Sequence, residues 1–175
     1  MLYNGNMKIV VGLGNPGPEY AFTRHNAGMV LADKLTERIP SDYGWRRQKE
    51  VMVYESRGWV LVKSAGIFMN DSGRMVREAI KNREGELYVA HDDLDIRLGE
   101  YKIQMGKGPK VHGGINSIEQ TLGTEQFWRI RIGIDNRIMP VEGEEYVLQK
   151  FGGEEKVILD GVLDKIADEI LKAAD

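Results

Sequence analysis

Apolar and polar positions alternate between two periods along this chain. Lys8 to Leu13 is a short apolar run, β-branched at Ile9, Val10 and Val11, and reads as a fully buried strand. Ala27 to Ile39 carries Leu31, Leu35 and Ile39 on one stripe, with Asp33, Lys34, Glu37 and Arg38 between them. That spacing predicts an amphipathic helix, with Asn26 as its N-cap and Pro40 as its stop. Val51–Ser56 and Trp59–Val62 flank Arg57-Gly58 as a hairpin would. Ser72 to Asn82 reads as a second helix with Met75, Val76, Ala79 and Ile80 inward. Leu87–Ala90 is a short apolar strand ending in His91-Asp92-Asp93, and Tyr101–Met105 alternates like a strand. Gly114–Leu122 reads as a short helix and Arg129–Ile134 as a strand. Val141–Phe151 holds another short helix, and Glu154–Ala173 a long one with Ile158, Val162, Ile166 and Ile170 on its buried stripe. Residues 41–50 are polar, with Arg46, Arg47 and Lys49 close together, and residues 106–110 read as a flexible basic loop.

Strands alternating with helices predict an α/β fold: a mixed, mostly parallel sheet sandwiched by helices. No repeat, linker or low-complexity stretch divides the chain, so residues 1–175 are expected to form one domain. At 175 residues and 42% hydrophobic it can bury a proper core. No apolar run approaches the ~18 residues of a membrane span. Residues 1–6, MLYNGN, have neither the basic nor the apolar region of a signal peptide. Without cysteine, disulfides, thiolate metal sites and thiol nucleophiles are excluded. A cytoplasmic location is expected. The net charge of −3 does not advertise a nucleic-acid binder, but charge is segregated. Residues 101–139 hold six Lys/Arg and three acids, whereas 140–175 hold four Lys and ten acids. A local basic patch is therefore permitted.

Candidate chemistry gathers around Lys8–Gly28. Gly12, Gly14 and Gly17 fit the dinucleotide fingerprint, but Pro16, Pro18 and about eight further residues separate them from the next helix. No acid ends a following strand at the required distance. The histidines are only three, His25, His91 and His112, and each stands beside Asn, Asp or Gly. No H-E-x-x-H or G-x-S-x-G spacing appears, so neither a metal site nor a serine nucleophile is expected, and no cofactor. What remains is an imidazole that activates water, oriented by a carboxylate at a neighbouring strand end. Asn15, Asn26 and Asn70 have the amides to hold a substrate carbonyl. Helix capping is the alternative reading of Asn26 and Asn70, a turn that of Asp92 and Asp93, and a solvated loop that of Lys107 and Lys110.

Four blocks, GLGNPGPEYAFTRHNAG (12–28), FMNDSG (68–73), VAHDDLD (89–95) and FWRIRIGI (127–134), resemble the bacterial-type peptidyl-tRNA hydrolases in order and nearly in spacing. The resemblance implies a monomeric, metal- and cofactor-free enzyme. Such an enzyme cleaves the ester between a peptide and the 3′-terminal ribose of tRNA. By position it implies that His25 is the catalytic histidine and Asp92 its supporting aspartate. Asn15 and Asn70 then line the peptide and water site, while Tyr20, Phe68 and Met69 shape the groove near the tRNA end. His112 falls in a glycine-rich gate loop, and Lys102 and Arg131 on the residues that clamp the acceptor-stem phosphate. The chain departs from the family pattern in three places. His112-Gly113-Gly114 replaces His-Asn-Gly, leaving Asn116 as the nearby carboxamide. Ser64 to Ile67 lack the usual proline and threonine, and the C-terminus is short and acidic. A second reading, from another class, is an RNA-binding protein that keeps the groove without hydrolysis.

Overall fold

The computed structural model describes residues 7–173; residues 1–6, where no signal peptide is expected, lie outside them. Among the described residues a seven-stranded sheet forms, with strands β1 (Met7–Gly12), β2 (Trp45–Gln48), β3 (Val51–Ser56), β4 (Trp59–Ser64), β5 (Gly85–Arg97), β6 (Tyr101–Met105) and β7 (Trp128–Asp135). Their order is β2-β3-β4-β1-β5-β7-β6. The central pairs β4/β1, β1/β5 and β5/β7 are parallel, and the outer pairs are antiparallel. Five strands therefore share one direction, and β3 and β6 oppose them.

Alternation along the central strands feeds two cores. Val10, Leu61, Ala90, Ile130, Ile132 and Ile134 face helices α1 (Ala27–Thr36), α4 (Gly143–Leu148) and α5 (Gly153–Lys172). Ile9, Val11, Val60, Val62 and Val89 face α2 (Ser72–Ile80) and α3 (Gly113–Leu122). Strands this apolar on both faces are what a sheet covered on both sides requires.

The structure departs from the sequence reading, or adds to it, in four places. Residues 45–48, in a stretch marked in sequence only by its polarity, form a strand: β2 is an edge strand whose Arg46, Arg47 and Gln48 stay exposed, so it lacks an apolar signature. β5 does not stop at Ala90; it runs on to Arg97 beside β7. Asp92 therefore sits within a strand rather than at its end. On α5 the buried stripe runs through Leu159, Val162, Leu163, Ile166, Ala167 and Ile170, and Ile158 is exposed. The acidic C-terminal segment finds partners on α1. Asp160, Asp164 and Asp168 pair with Lys34 and Arg38 of α1.

Candidate active site

Where β1 ends at Gly12, β5 continues, and the chain leaving β1 passes over it. Leu13 N–H donates to the Ala90 carbonyl at 2.9 Å. The helix α1 starts almost on this junction. A Cβ on Gly28 would lie 2.1 Å from the Ala90 carbonyl oxygen, and one on Gly12 would lie 2.3 Å from that of Gly28. Only glycine at both positions lets helix and strands approach so closely. The consequence is that a single 3₁₀ turn, Arg24–Asn26, is delivered beside the part of β5 that has outrun β1.

There His25 Nδ1 donates to Asp92 Oδ1 at 2.8 Å. Asp92 is buried, and its Oδ1 also accepts from His112 Nε2 at 2.9 Å. His112 caps α3: its Nδ1 accepts from the Ile115 N–H at 3.3 Å, so its proton must reside on Nε2. His91 lies under His112, ring centroids 5.0 Å apart, and donates from Nδ1 to the Asp92 carbonyl at 2.7 Å. The three histidines spread along the sequence thus meet around one residue, Asp92, two on its carboxylate and one on its backbone carbonyl.

Charge follows from this geometry. Burial pulls the His25 pKa down, but the charge of Asp92 and its hydrogen bond pull it up further, and the net shift is upward from the usual 6.5. Burial would raise Asp92; the charge of His25 and the hydrogen bonds from both rings outweigh it and hold the carboxyl far below its usual range. His91, fully buried, is pushed down to about 3 by desolvation first and by His112 second, so it stays neutral.

The carboxamides close a circuit. Asn26 does not cap α1, as its position before the helix suggests. Its Oδ1 accepts from the Asn15 N–H at 2.9 Å and its Nδ2 donates to the Asn15 carbonyl at 3.0 Å. Locking the Asn15 backbone leaves that residue's side chain to reach across the groove. Asn15 Oδ1 accepts from the Met69 N–H at 2.8 Å, which leaves its NH₂ as the donor for a substrate carbonyl. Asn70 is exposed next door, and its Oδ1 lies only 2.2 Å from where a Cβ on Gly113 would stand. Gly113 follows His112, so His25, Asp92, His112, Gly113, Asn70, Met69, Asn15 and Asn26 form one ring of neighbours.

The remaining expected site residues divide. Tyr20 and Phe68 pack edge to face, centroids 6.0 Å apart, and Phe68 is 51% exposed, so they form an aromatic wall beside Asn70. Met69 is buried and cannot line an open groove; it contributes its backbone N–H and fills space under Gly114. Asn116 is exposed on the first turn of α3. Lys102 is exposed directly opposite Arg131 on the β6/β7 ladder. Arg131 is half-buried, with Nε on Asp93 Oδ2 at 2.7 Å and Nη1 on Gln104 Oε1 at 2.9 Å. Its guanidinium also lies against Gly108 of the loop before α3. Arg129 binds the Gly108 carbonyl and Glu119, so these two arginines tie that loop down, and exposed Lys102, Lys107 and Lys110 carry the surface charge.

A metal has the wrong donors here. Ligand atoms of His25, Asp92 and His112 lie within 4.8 Å of one another. But His112 Nδ1 accepts a backbone N–H, which obliges Nε2 to keep its proton, and a ligating nitrogen must give it up.

The family model for peptidyl-tRNA hydrolase matches residues 9–175. The chain belongs to the peptidyl-tRNA hydrolase family. It is 38% identical over 165 residues to the peptidyl-tRNA hydrolase of Desulfitobacterium hafniense, spanning 91% of this chain and 88% of that one. With the Geotalea daltonii peptidyl-tRNA hydrolase it shares 39% over 170 residues, 93% of this chain and 87% of the relative. Among solved structures, a peptidyl-tRNA hydrolase crystallised with N-propanol superposes with a TM-score of 0.79 at 30% identity, covering 94% of this chain and 87% of that one. The Acinetobacter baumannii peptidyl-tRNA hydrolase gives 0.79 at 29% identity, covering 97% and 89%. Membership agrees with the single α/β layer order and with the motif blocks that meet at the Asp92 ring.

Proposed function

We propose that this protein hydrolyses the ester joining a peptide to the 3′-terminal ribose of tRNA, with His25 as general base. The pairing of His25 Nδ1 with Asp92 carries the reading, because it fixes the tautomer in which Nε2 holds a lone pair. His25 Nε2 takes a proton from water, and the hydroxide attacks the ester carbonyl. Asp92 stabilises the imidazolium that forms. The Asn15 NH₂ and Asn70 donate to the carbonyl oxygen or hold the water. Collapse of the tetrahedral intermediate expels the ribose oxygen, which recovers the proton from His25. The products are a peptide carboxylate and a tRNA with a free terminal hydroxyl.

The tRNA is held through its acceptor-stem phosphates rather than by base reading. Exposed Lys102 supports this, with Arg131 across the ladder as its neighbour. Tyr20 and Phe68 offer ring faces to the unpaired 3′ end. Every group named lies on one chain, in keeping with a monomer, and no helix among the described residues is long and apolar enough to cross a membrane. A cytoplasmic site of action suits a tRNA substrate.

Turnover of an N-blocked aminoacyl-tRNA tests the reading. The protein should release free tRNA, and His25→Ala should lower kcat by roughly 10²–10⁴, the span for losing a general base. Equal turnover by the two proteins would overturn it.

A further inference from the structure

Arg24, next to His25, carries a buried charge that the hydrolytic mechanism does not use. Its Nη2 lies 3.0 Å from both carboxylate oxygens of Glu155, in the first turn of α5. Its guanidinium carbon sits 4.2 Å from the Tyr146 ring and 5.0 Å from that of Phe151. Among the described residues Nε and Nη1 have no hydrogen-bond partner, so these two rings stand in for one. The surrounding backbone is tied to the same segment. Arg24 N–H donates to Gln149 O at 3.0 Å, Phe151 N–H to Phe22 O at 3.1 Å, and Thr23 bridges Lys150.

Glu155 is itself fixed. It accepts from the Gly152 N–H at 2.8 Å and from Asn136 Nδ2 at 3.3 Å. A buried ion pair is a weak source of stability, since desolvation offsets most of the attraction. What the pair does supply is direction. His25 lies in a turn of only three residues. Asn26 on one side is pinned to Asn15, and Arg24 on the other is pinned to Glu155. Without the Glu155 contact the turn keeps its backbone bonds to Gln149 and Lys150 but loses the side-chain anchor that fixes its tilt, and the imidazole can shift off Asp92.

We propose that Arg24 and Glu155 are positioning residues for the base, so that α5, 131 residues away in sequence, sets the orientation of the His25 ring. The inference rests on His25 being the base. Among the described residues, the titratable groups in contact with His25 are Asp92 from β5 and His112 from the start of α3, with Arg24 on its own turn. Loosening the turn lengthens the Asp92 contact and leaves the other neighbours in place.

The test compares the whole protein with Glu155→Gln, Glu155→Asp and His25→Ala on N-blocked aminoacyl-tRNA, across pH. Glu155→Gln keeps the size and the Gly152 bond but removes the charge. It should lower kcat by roughly 10- to 100-fold, the scale of an ångström of misplacement, with KM within about twofold. Its acid limb should move to lower pH, because His25 loses part of the attraction of Asp92. Glu155→Asp should show the same signature at smaller size, and it decides the matter if the Gln variant does not fold. A folded Glu155 variant with parental kcat and acid limb, or with only KM raised, overturns the clamp while His25→Ala stays inactive. Parental turnover by His25→Ala instead removes the base itself.

Discussion

The carboxamide of Asn70 occupies the space that a side chain on Gly113 would fill: a Cβ there would stand 2.2 Å from Asn70 Oδ1. The family pattern has an asparagine where this chain has Gly113, and adding one would displace the carboxamide that is already in place. Asn70 is exposed and can swing aside, so the fold will tolerate the change while the groove does not.

Gly113→Ala should therefore lower kcat/KM about as much as Asn70→Ala does, roughly 5- to 15-fold for one hydrogen bond of about 1–1.5 kcal/mol. The double variant should be no worse than Asn70→Ala alone, since both remove the same contact. A double-mutant cycle in steady-state kinetics measures this, and additive losses would separate the two residues.

Lys102 and Arg131 face each other on the ladder but should behave differently. Lys102→Ala should flatten log K against log[salt] for tRNA by about one unit and leave thermal stability alone. Arg131→Ala leaves the Asp93 carboxylate buried without its partner, so stability should fall by about 3–5 kcal/mol. Salt titrations and thermal melts of both variants check the pair. Equal melting temperatures would mean that Arg131 is not held as a structural ion pair in solution.

Much of the fold was legible because burial imposes period. β1, β3, β4, β6 and β7 and all five helices follow their apolar spacing to within a few residues. β2 was not, since an edge strand with solvated Arg46 and Arg47 needs no alternation. Nor was the length of β5. His91, Asp92 and Asp93 look like a turn in sequence, and only pairing with β7 and mutual hydrogen bonds make them tolerable inside a sheet. Of the candidate site, Asn15, His25, Asn70 and Asp92 stand in the motif blocks, but their partners were not legible. Nothing local marks Asn26 as the lock on the Asn15 backbone, or Glu155 as the counter-ion of Arg24. Those contacts span a groove or the whole chain, and sequence spacing carries no trace of them.

His91 should make the protein acid-sensitive. Its folded pKa lies near 3, below the unfolded ~6.5, so the unfolded chain binds one more proton between those values. Stability should fall by about 1.4 kcal/mol per pH unit as pH drops through this window, from that residue alone. Asp92 adds no loss above the ordinary carboxylate range, because its pKa moves down and its stabilisation persists until pH falls below that range. His91→Phe should shift stability by an offset and flatten this slope. Denaturant melts between pH 4 and 7, read for slope rather than level, provide the check.

Asp92 raises the pKa of His25, the proposed base. Catalysis needs the neutral ring, so activity should fall with acidity through a pKa above the usual imidazole value. Asp92→Asn keeps an oxygen to accept from Nδ1 but removes the charge, so kcat should drop and the acid limb of kcat/KM should move to lower pH. The measurement is the pH–rate profile of the two proteins on the same N-blocked aminoacyl-tRNA. A slower Asp92→Asn enzyme whose acid limb stays where the parent's lies would contradict the pairing and leave Asp92 as a residue that positions substrate or water.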